Sequence, residues 1–359
     1  MVAAVGAAGL LAFGAAACGS DSNSDTTTGG GASGGTINGS GSTFAAPIYQ
    51  QWGSALKGQG LTVNYQGVGS GQGISELTAG TVNFAGTDPP MKPEEITAAE
   101  KKGSPPLHFP TALGAITISY NVQGIDNGLK LTGPVIGDIF LGKIKKWNDP
   151  AIAALNPGVS LPSTDITVVH RSDSSGTTKG FTGYLSDVNP AWAKQVGSDK
   201  IVKWPTGTGA KGNDGVAAAV KQTPGSVGYV EQAYALQNKF TVADVKNKAG
   251  KFVAPTLEST TAAAEKLTVP ANLQFTVKDT GNPAAYPITS QTFVVAFTDA
   301  CKAGFSEQVA NGIKQFLTYG LGDGQAVLAQ LQYAKLPASI DSQAKAQIGK
   351  LVCNGKPLS

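Results

Sequence analysis

The spacing of apolar and polar positions changes character twice along the chain. Residues 2–17 are only Ala, Gly, Val, Leu and Phe, and residues 19–35 are Gly, Ser, Thr, Asn and Asp with one alanine. From Thr36 onward, short apolar runs alternate between strand and helix periods. Phe44, Ile48, Trp52 and Leu56 mark one helical face over 44–57, with Ser42-Thr43 as its N-cap. Leu61 to Tyr65 alternates as a strand, and Gly67 to Gly73 reads as a loop before a helix over Ile74 to Ala79. A strand over Val82 to Ala85, a surface helix over Glu94 to Lys102, an apolar strand over Leu113 to Tyr120 and a helix opening at Ile136 to Phe140 follow. Ile166, Val168 and Val169 form another strand, and a helix starts near Thr177. Val227 to Val230 and Phe293 to Phe297 are further strands, and the last helices are placed at 306–319 and 323–332. This alternation predicts an α/β fold.

The opening apolar run, ending in small residues, reads as an export signal over 1–18, too short for a comfortable membrane span. Cys18 directly follows Ala15-Ala16-Ala17, which resembles a bacterial lipobox whose cysteine is acylated. An ordinary signal peptide with an incidental cysteine is the alternative. Residues 19–35 read as a flexible tether. With Cys18 lipidated, Cys301 and Cys353 remain, and two cysteines in an exported chain predict a disulfide, the alternative being two buried thiols.

Composition narrows the function classes. A length of 359 residues favours two domains. With 41% hydrophobic and 14% charged residues the chain is globular, neither disordered nor coiled coil. A net charge of +3 on scattered lysines makes no case for nucleic acid. His108 and His170 are far apart and no CxxC pair is present, which speaks against zinc. Gly67 to Gly73 matches neither the dinucleotide fingerprint nor the P-loop, and Lys179 follows Thr178 instead of a glycine. No cofactor is implied.

The candidate chemistry lies in three small-residue loops, each before a helix: Gly39 to Thr43, Gly67 to Gly73 and Ser172 to Thr177. Loops of this kind offer free N–H groups and hydroxyls at the positive end of a helix, where an anion is stabilised. Arg171, the only arginine in the chain, stands beside the third loop. Its planar fork fits an oxyanion. In α/β sheets ligands sit where such loops gather.

Six linked stretches then carry a family resemblance: Gly39-Ser40-Gly41-Ser42-Thr43-Phe44-Ala45-Ala46-Pro47, Asn64 to Gly71, Asn83 to Asp88, Arg171 to Thr177, Gly228-Tyr229-Val230-Glu231 and Tyr286-Pro287-Ile288. Over about Ile37 to Pro337 the chain resembles the periplasmic phosphate-binding proteins of phosphate-specific ABC transporters. The resemblance implies a two-lobed clamshell of type II, with lobe one at 36–115 and 292–359, lobe two at 116–291, and two crossing strands between them. Carried over by position, Thr43, Phe44, Ser70, Asp88, Arg171, Ser175, Gly176 and Thr177 are the phosphate contacts, and Asp173 is the partner of the arginine. Gly71-Gln72 and Ala45-Ala46 depart from some members without removing a contact. The implied protein is a monomer, lipid-anchored outside the membrane, that delivers inorganic phosphate to a permease and ATPase complex. An ionised Asp88, acceptor-only, would take a hydrogen bond from protonated phosphate and repel sulfate, which carries no proton.

Two other readings remain open on the residues alone. One is a binding protein for a different oxyanion or a phosphorylated metabolite. The other is a secreted phosphatase or esterase using Ser175, with His170 as its sole nearby base.

Overall fold

The computed structural model describes residues 35–358. Cys18, the export signal and the tether up to residue 34 lie outside the described residues. Strand β1 (Gly35–Gly41) opens the fold, followed by helix α1 (Ala46–Lys57), strand β2 (Leu61–Gly67), helix α2 (Ser70–Ala79) and strand β3 (Phe84–Thr87). Strand β4 (Pro106–Asn121) comes next, then β5 (Thr167–Arg171), helix α3 (Gly176–Val188), β6 (Thr208–Ala210), helix α4 (Gly212–Gln222) and β7 (Ser226–Glu231). Strands β8 (Thr241–Val242) and β9 (Thr289–Phe297) and helix α5 (Glu307–Leu321) complete the parts that position the site.

The nine strands join in the order β2-β1-β3-β9-β4-β7-β5-β6, with β8 also paired to β4. Two parallel sets, β2-β1-β3 and β7-β5-β6, flank the antiparallel pair β9 and β4. The first part of β4 pairs with β9, from Pro106 to Ala115, and the second part with β7, from Ile116 to Asn121. One strand thus belongs to both sets. Its interior is buried from His108 to Tyr120, and a strand covered on both faces reads as a continuous apolar run. A bulge interrupts β4 against β9, where the register skips Thr111 beside Pro110. Proline supplies no ladder donor and is tolerated at such irregularities.

Under β1 and β2, the rings of Tyr49, Trp52, Tyr65, Phe84 and Phe316 pack against one another in edge-on, tilted and stacked pairs. This cluster anchors α1 and α5 and leaves the loop after β1 resting on a rigid base. Cys301 and Cys353 form the predicted disulfide, 52 residues apart in sequence. A loop of that length stabilises by about 4 kcal/mol on the chain-entropy account.

Three expectations need correction, and one helix was missed. Helix α2 starts at Ser70, with Gly69 as its N-cap, so only Val68 and Gly69 form the loop. Ser42-Thr43 does not cap α1; Ala45 holds that position without a side-chain bond, while Ser42 Oγ donates to Asp88 and accepts the Ala45 N–H one turn earlier, at 3.2 Å. The stretch 323–332 holds only a 3-10 turn, Asp323–Val327. A helix at Ala338–Ile348 went unforeseen, since its inner face is built of Ile340, Ala344, Gln347 and Ile348, a weakly apolar stripe.

Candidate anion-binding site

Four helices start at one place. The N-termini of α2 and α3 meet through the Gly71 N–H, which donates to the Ser174 carbonyl at 3.0 Å. The loop before α1 meets the N-terminus of α4, where the Asn213 N–H and Nδ2 donate to Thr43 Oγ1 at 3.2 and 2.8 Å. Gly69 has φ +98, and a Cβ there would come within 2.5 Å of Asp173 Oδ2. The close approach of α2 to the Arg171–Thr177 loop therefore requires glycine.

Every sequence-predicted contact lies in this cluster. Thr43, Phe44, Ser70, Asp88, Arg171, Ser175, Gly176 and Thr177 are all buried. Arg171 donates from Nε and Nη2 to the two oxygens of Asp173, the first at 2.7 Å. Its Nη1 donates to Thr177 Oγ1 at 3.3 Å. Burial pushes the Asp173 carboxyl up, but the guanidinium outweighs it and holds it below the usual range. The charges of Arg171 and Asp173 therefore offset each other. Attraction for an anion rests on hydroxyls, N–H groups and helix N-termini. Ser175 Oγ accepts the Thr178 N–H at 3.0 Å, which leaves its own hydrogen to donate.

Asp88 has two unlike oxygens. Oδ1 accepts from Ser42 Oγ at 2.6 Å and Thr292 Oγ1 at 2.8 Å. Oδ2 has the longer contact with Ser70 Oγ, at 3.4 Å. Burial pushes the carboxyl up to about 6, against the opposing effect of the two hydroxyls and Arg171. At neutral pH it is mainly ionised, with Oδ2 able to accept a further hydrogen bond.

Ser42, Thr292, Asn213 and Glu231 were not singled out as site residues. Ser42 and Thr292 act only through Asp88, and no local pattern marks that. Asn213 was legible in principle: Gly212-Asn213-Asp214-Gly215 before Val216 and Val220 repeats the small-polar-then-helix pattern of the other loops.

Glu231 reveals its protonation by geometry. Tyr333 OH lies 2.6 Å from the Phe44 carbonyl and 2.7 Å from Glu231 Oε2. A carbonyl cannot donate, so the phenol hydrogen goes to Phe44 and the Glu231 carboxyl supplies the other. Glu231 Oε1 is buried without a partner, which also favours the neutral acid. Burial raises this carboxyl well above its usual range, against the Ala233 N–H donor. A raised carboxyl contributes stability that is full below its unfolded value and lost as pH rises through its folded value. The Glu231 contribution to thermal stability should accordingly decline as pH rises above the usual carboxylate range. Glu231→Gln, a neutral isostere, should flatten that slope in a series of melting curves. An unchanged slope contradicts the assignment.

His170 packs against an aromatic neighbour. Its ring lies flat on Trp204, with centroids 4.6 Å apart, and its Nδ1 meets the Arg171 carbonyl at 3.0 Å.

The PBP superfamily domain matches residues 26–323. The phosphate-binding protein PstS of Pasteurella multocida is 43% identical over 316 residues, covering 87% of this chain and 89% of the relative. PstS 3 of Mycobacterium leprae is 38% identical over 359 residues, covering 94% and 95%. The chain belongs to the PstS family of phosphate-binding proteins. It is a family of substrate-binding proteins and not of enzymes. Solved structures agree on the fold. A high-affinity periplasmic phosphate-binding protein with bound phosphate superposes with TM-score 0.69 at 22% identity, over 87% of this chain and 93% of its own. The ancestral soluble variant of the human phosphate-binding protein gives 0.70 at 23%, over 89% and 98%. The fold is the two-lobed one of periplasmic binding proteins, and β4 is the strand shared by both parallel sets. Among the described residues, no helix is long and apolar enough to cross a membrane.

Proposed function

We propose that this protein captures inorganic phosphate outside the cytoplasmic membrane and delivers it, as a monomer, to an ABC permease and ATPase. A lipid on Cys18 holds it at the membrane. Residues 36–115 and 292–359 make one lobe and 116–291 the other, closing over the ion. Thr43, the Phe44 N–H, Ser70, Arg171, Ser175, the Gly176 N–H and Thr177 donate to its oxygens, and Asp88 accepts its proton. The observation that carries this reading is Asp88. It is a buried, mainly ionised carboxylate with one oxygen satisfied by two hydroxyls and the other beside Ser70.

An acceptor-only group rewards a ligand that brings a hydrogen and penalises one that does not. Phosphate near neutral pH keeps at least one proton and sulfate has none. Losing such a match costs on the order of 10⁴-fold in a buried site. Against ester hydrolysis, no hydrogen bond joins Ser175 to His170 among the described residues: Ser175 Oγ caps α3 and His170 stacks on Trp204.

Calorimetric titration of the ligand-stripped protein with phosphate, and separately with sulfate, tests the proposal. The native chain should bind phosphate one to one and give no sulfate heat. In Asp88→Asn the preference for phosphate should shrink at least about 100-fold, as an amide can donate to sulfate. Equal binding of both anions by the native chain would sink the role of Asp88.

A further inference from the structure

We propose that Asn213 is a positioning residue of the anion site: it fixes the direction in which the Thr43 and Thr177 hydroxyls point their hydrogens. Asn213 is completely buried in the first turn of α4. Its Oδ1 accepts the Glu231 N–H at 2.9 Å. An N–H needs an acceptor, so this contact decides which end of the amide is oxygen. The two hydrogens on Nδ2 are then assigned as well. One goes to Thr43 Oγ1 at 2.8 Å and the other to Thr177 Oγ1 at 3.1 Å.

A hydroxyl accepts two hydrogen bonds and donates one. Thr43 Oγ1 accepts from Asn213 Nδ2 and from the Asn213 N–H at 3.2 Å. Thr177 Oγ1 accepts from Asn213 Nδ2 and from Arg171 Nη1 at 3.3 Å. All four acceptor sites are filled by nitrogen donors. Each threonine is left with its hydrogen alone, and a buried hydroxyl hydrogen without an acceptor is costly. Both residues are thereby turned into obligate donors, the polarity that an oxyanion requires.

There is a coupling in this arrangement. Thr43 follows β1, whereas Asn213 and Thr177 belong to the segment of β5, β6 and β7. The Thr43 hydroxyl is oriented only when the two parts approach. Closure and donor polarity then favour each other, and the ligand stabilises the closed state through both.

The inference rests on the phosphate reading, and its test separates the two. Phosphate titrations compare the native chain, Asn213→Ala, Asn213→Asp, the pair Thr43→Val with Thr177→Val, and Asn213→Ala in that pair. Asn213→Ala should weaken binding about tenfold, the equivalent of about one oriented hydrogen bond per hydroxyl. In the double-valine background the same change should cost less than about threefold, since coupled residues are non-additive. Asn213→Asp keeps the shape but accepts from both hydroxyls, turning their hydrogens away from the ion. It should lose at least about 100-fold and recover part of the loss as pH falls and the carboxyl becomes a donor. A merely structural asparagine would give equal losses with and without the hydroxyls, and no pH-dependent recovery. Either of those results overturns the inference, as does native affinity in Asn213→Asp. Failure of the native chain to bind phosphate overturns instead the reading on which it rests.

Discussion

Gly176→Ala should abolish high-affinity phosphate binding and leave the chain folded. A Cβ at this position would fall 2.2 Å from Asp88 Oδ2, 2.4 Å from Ser70 Oγ and 2.7 Å from Asp88 Cβ. None of these atoms can readily withdraw. Asp88 is pinned by Ser42 and Thr292, and its carbonyl accepts from Gln291 Nε2 at 2.6 Å. Ser70 opens α2 and accepts the Asp88 N–H at 3.3 Å. Gly176 is not among the glycines with positive φ, so alanine strains nothing locally, and in a helix it gains up to about 1 kcal/mol over glycine. The whole penalty therefore falls on the approach of the Arg171–Thr177 loop to Ser70 and Asp88. Overpacking of this kind costs about 3 kcal/mol, a loss in affinity of at least about 100-fold. Calorimetry would read the affinity, and small-angle scattering should show a larger radius in the presence of phosphate than the native protein has. Native affinity in this variant would mean that the contact between Gly176 and Asp88 is absent from the bound state.

Arg171→Ala should be damaging twice over. The guanidinium is almost fully buried and its partner nearly so, with side-chain exposures of 1% and 10%. Removing one member of a buried pair strands the other and costs about 3–5 kcal/mol of stability. Binding loses a charge-assisted fork of two bonds worth about 2 kcal/mol each, or about 1000-fold. The two losses separate in the double variant Arg171→Ala with Asp173→Asn. Removal of the stranded charge should restore much of the thermal stability, whereas phosphate affinity stays low. Recovery of affinity along with stability would assign Arg171 a purely structural role.

How much of this could be read in advance depends on how local the signal was. The loops at Thr43, Ser70 and Ser175 announce themselves by small residues before helices, and the structure brings all three together. Arg171 stood out by being alone of its kind. Strand β4 was legible only from Leu113 onward, because Pro106, His108, Pro110 and Thr111 break an apolar pattern that burial and a bulge nevertheless accommodate. The partners of Asp88 were beyond reach. Ser42 is 46 residues away and Thr292 is 204 away, and long-range pairings leave no periodic trace. Glu231 appeared inside a recognised stretch, but its proton becomes visible only when Tyr333 and Phe44 are seen together.

The bond between Cys301 and Cys353 has a consequence for how the chain comes apart. Helix α5, the 3-10 turn and the helix at Ala338–Ile348 all lie inside the loop that it closes. A protease cut anywhere from Lys302 to Val352 therefore releases no fragment. The nicked molecule keeps its mass until a reductant is added, and the severed ends remain tethered within reach of their native positions.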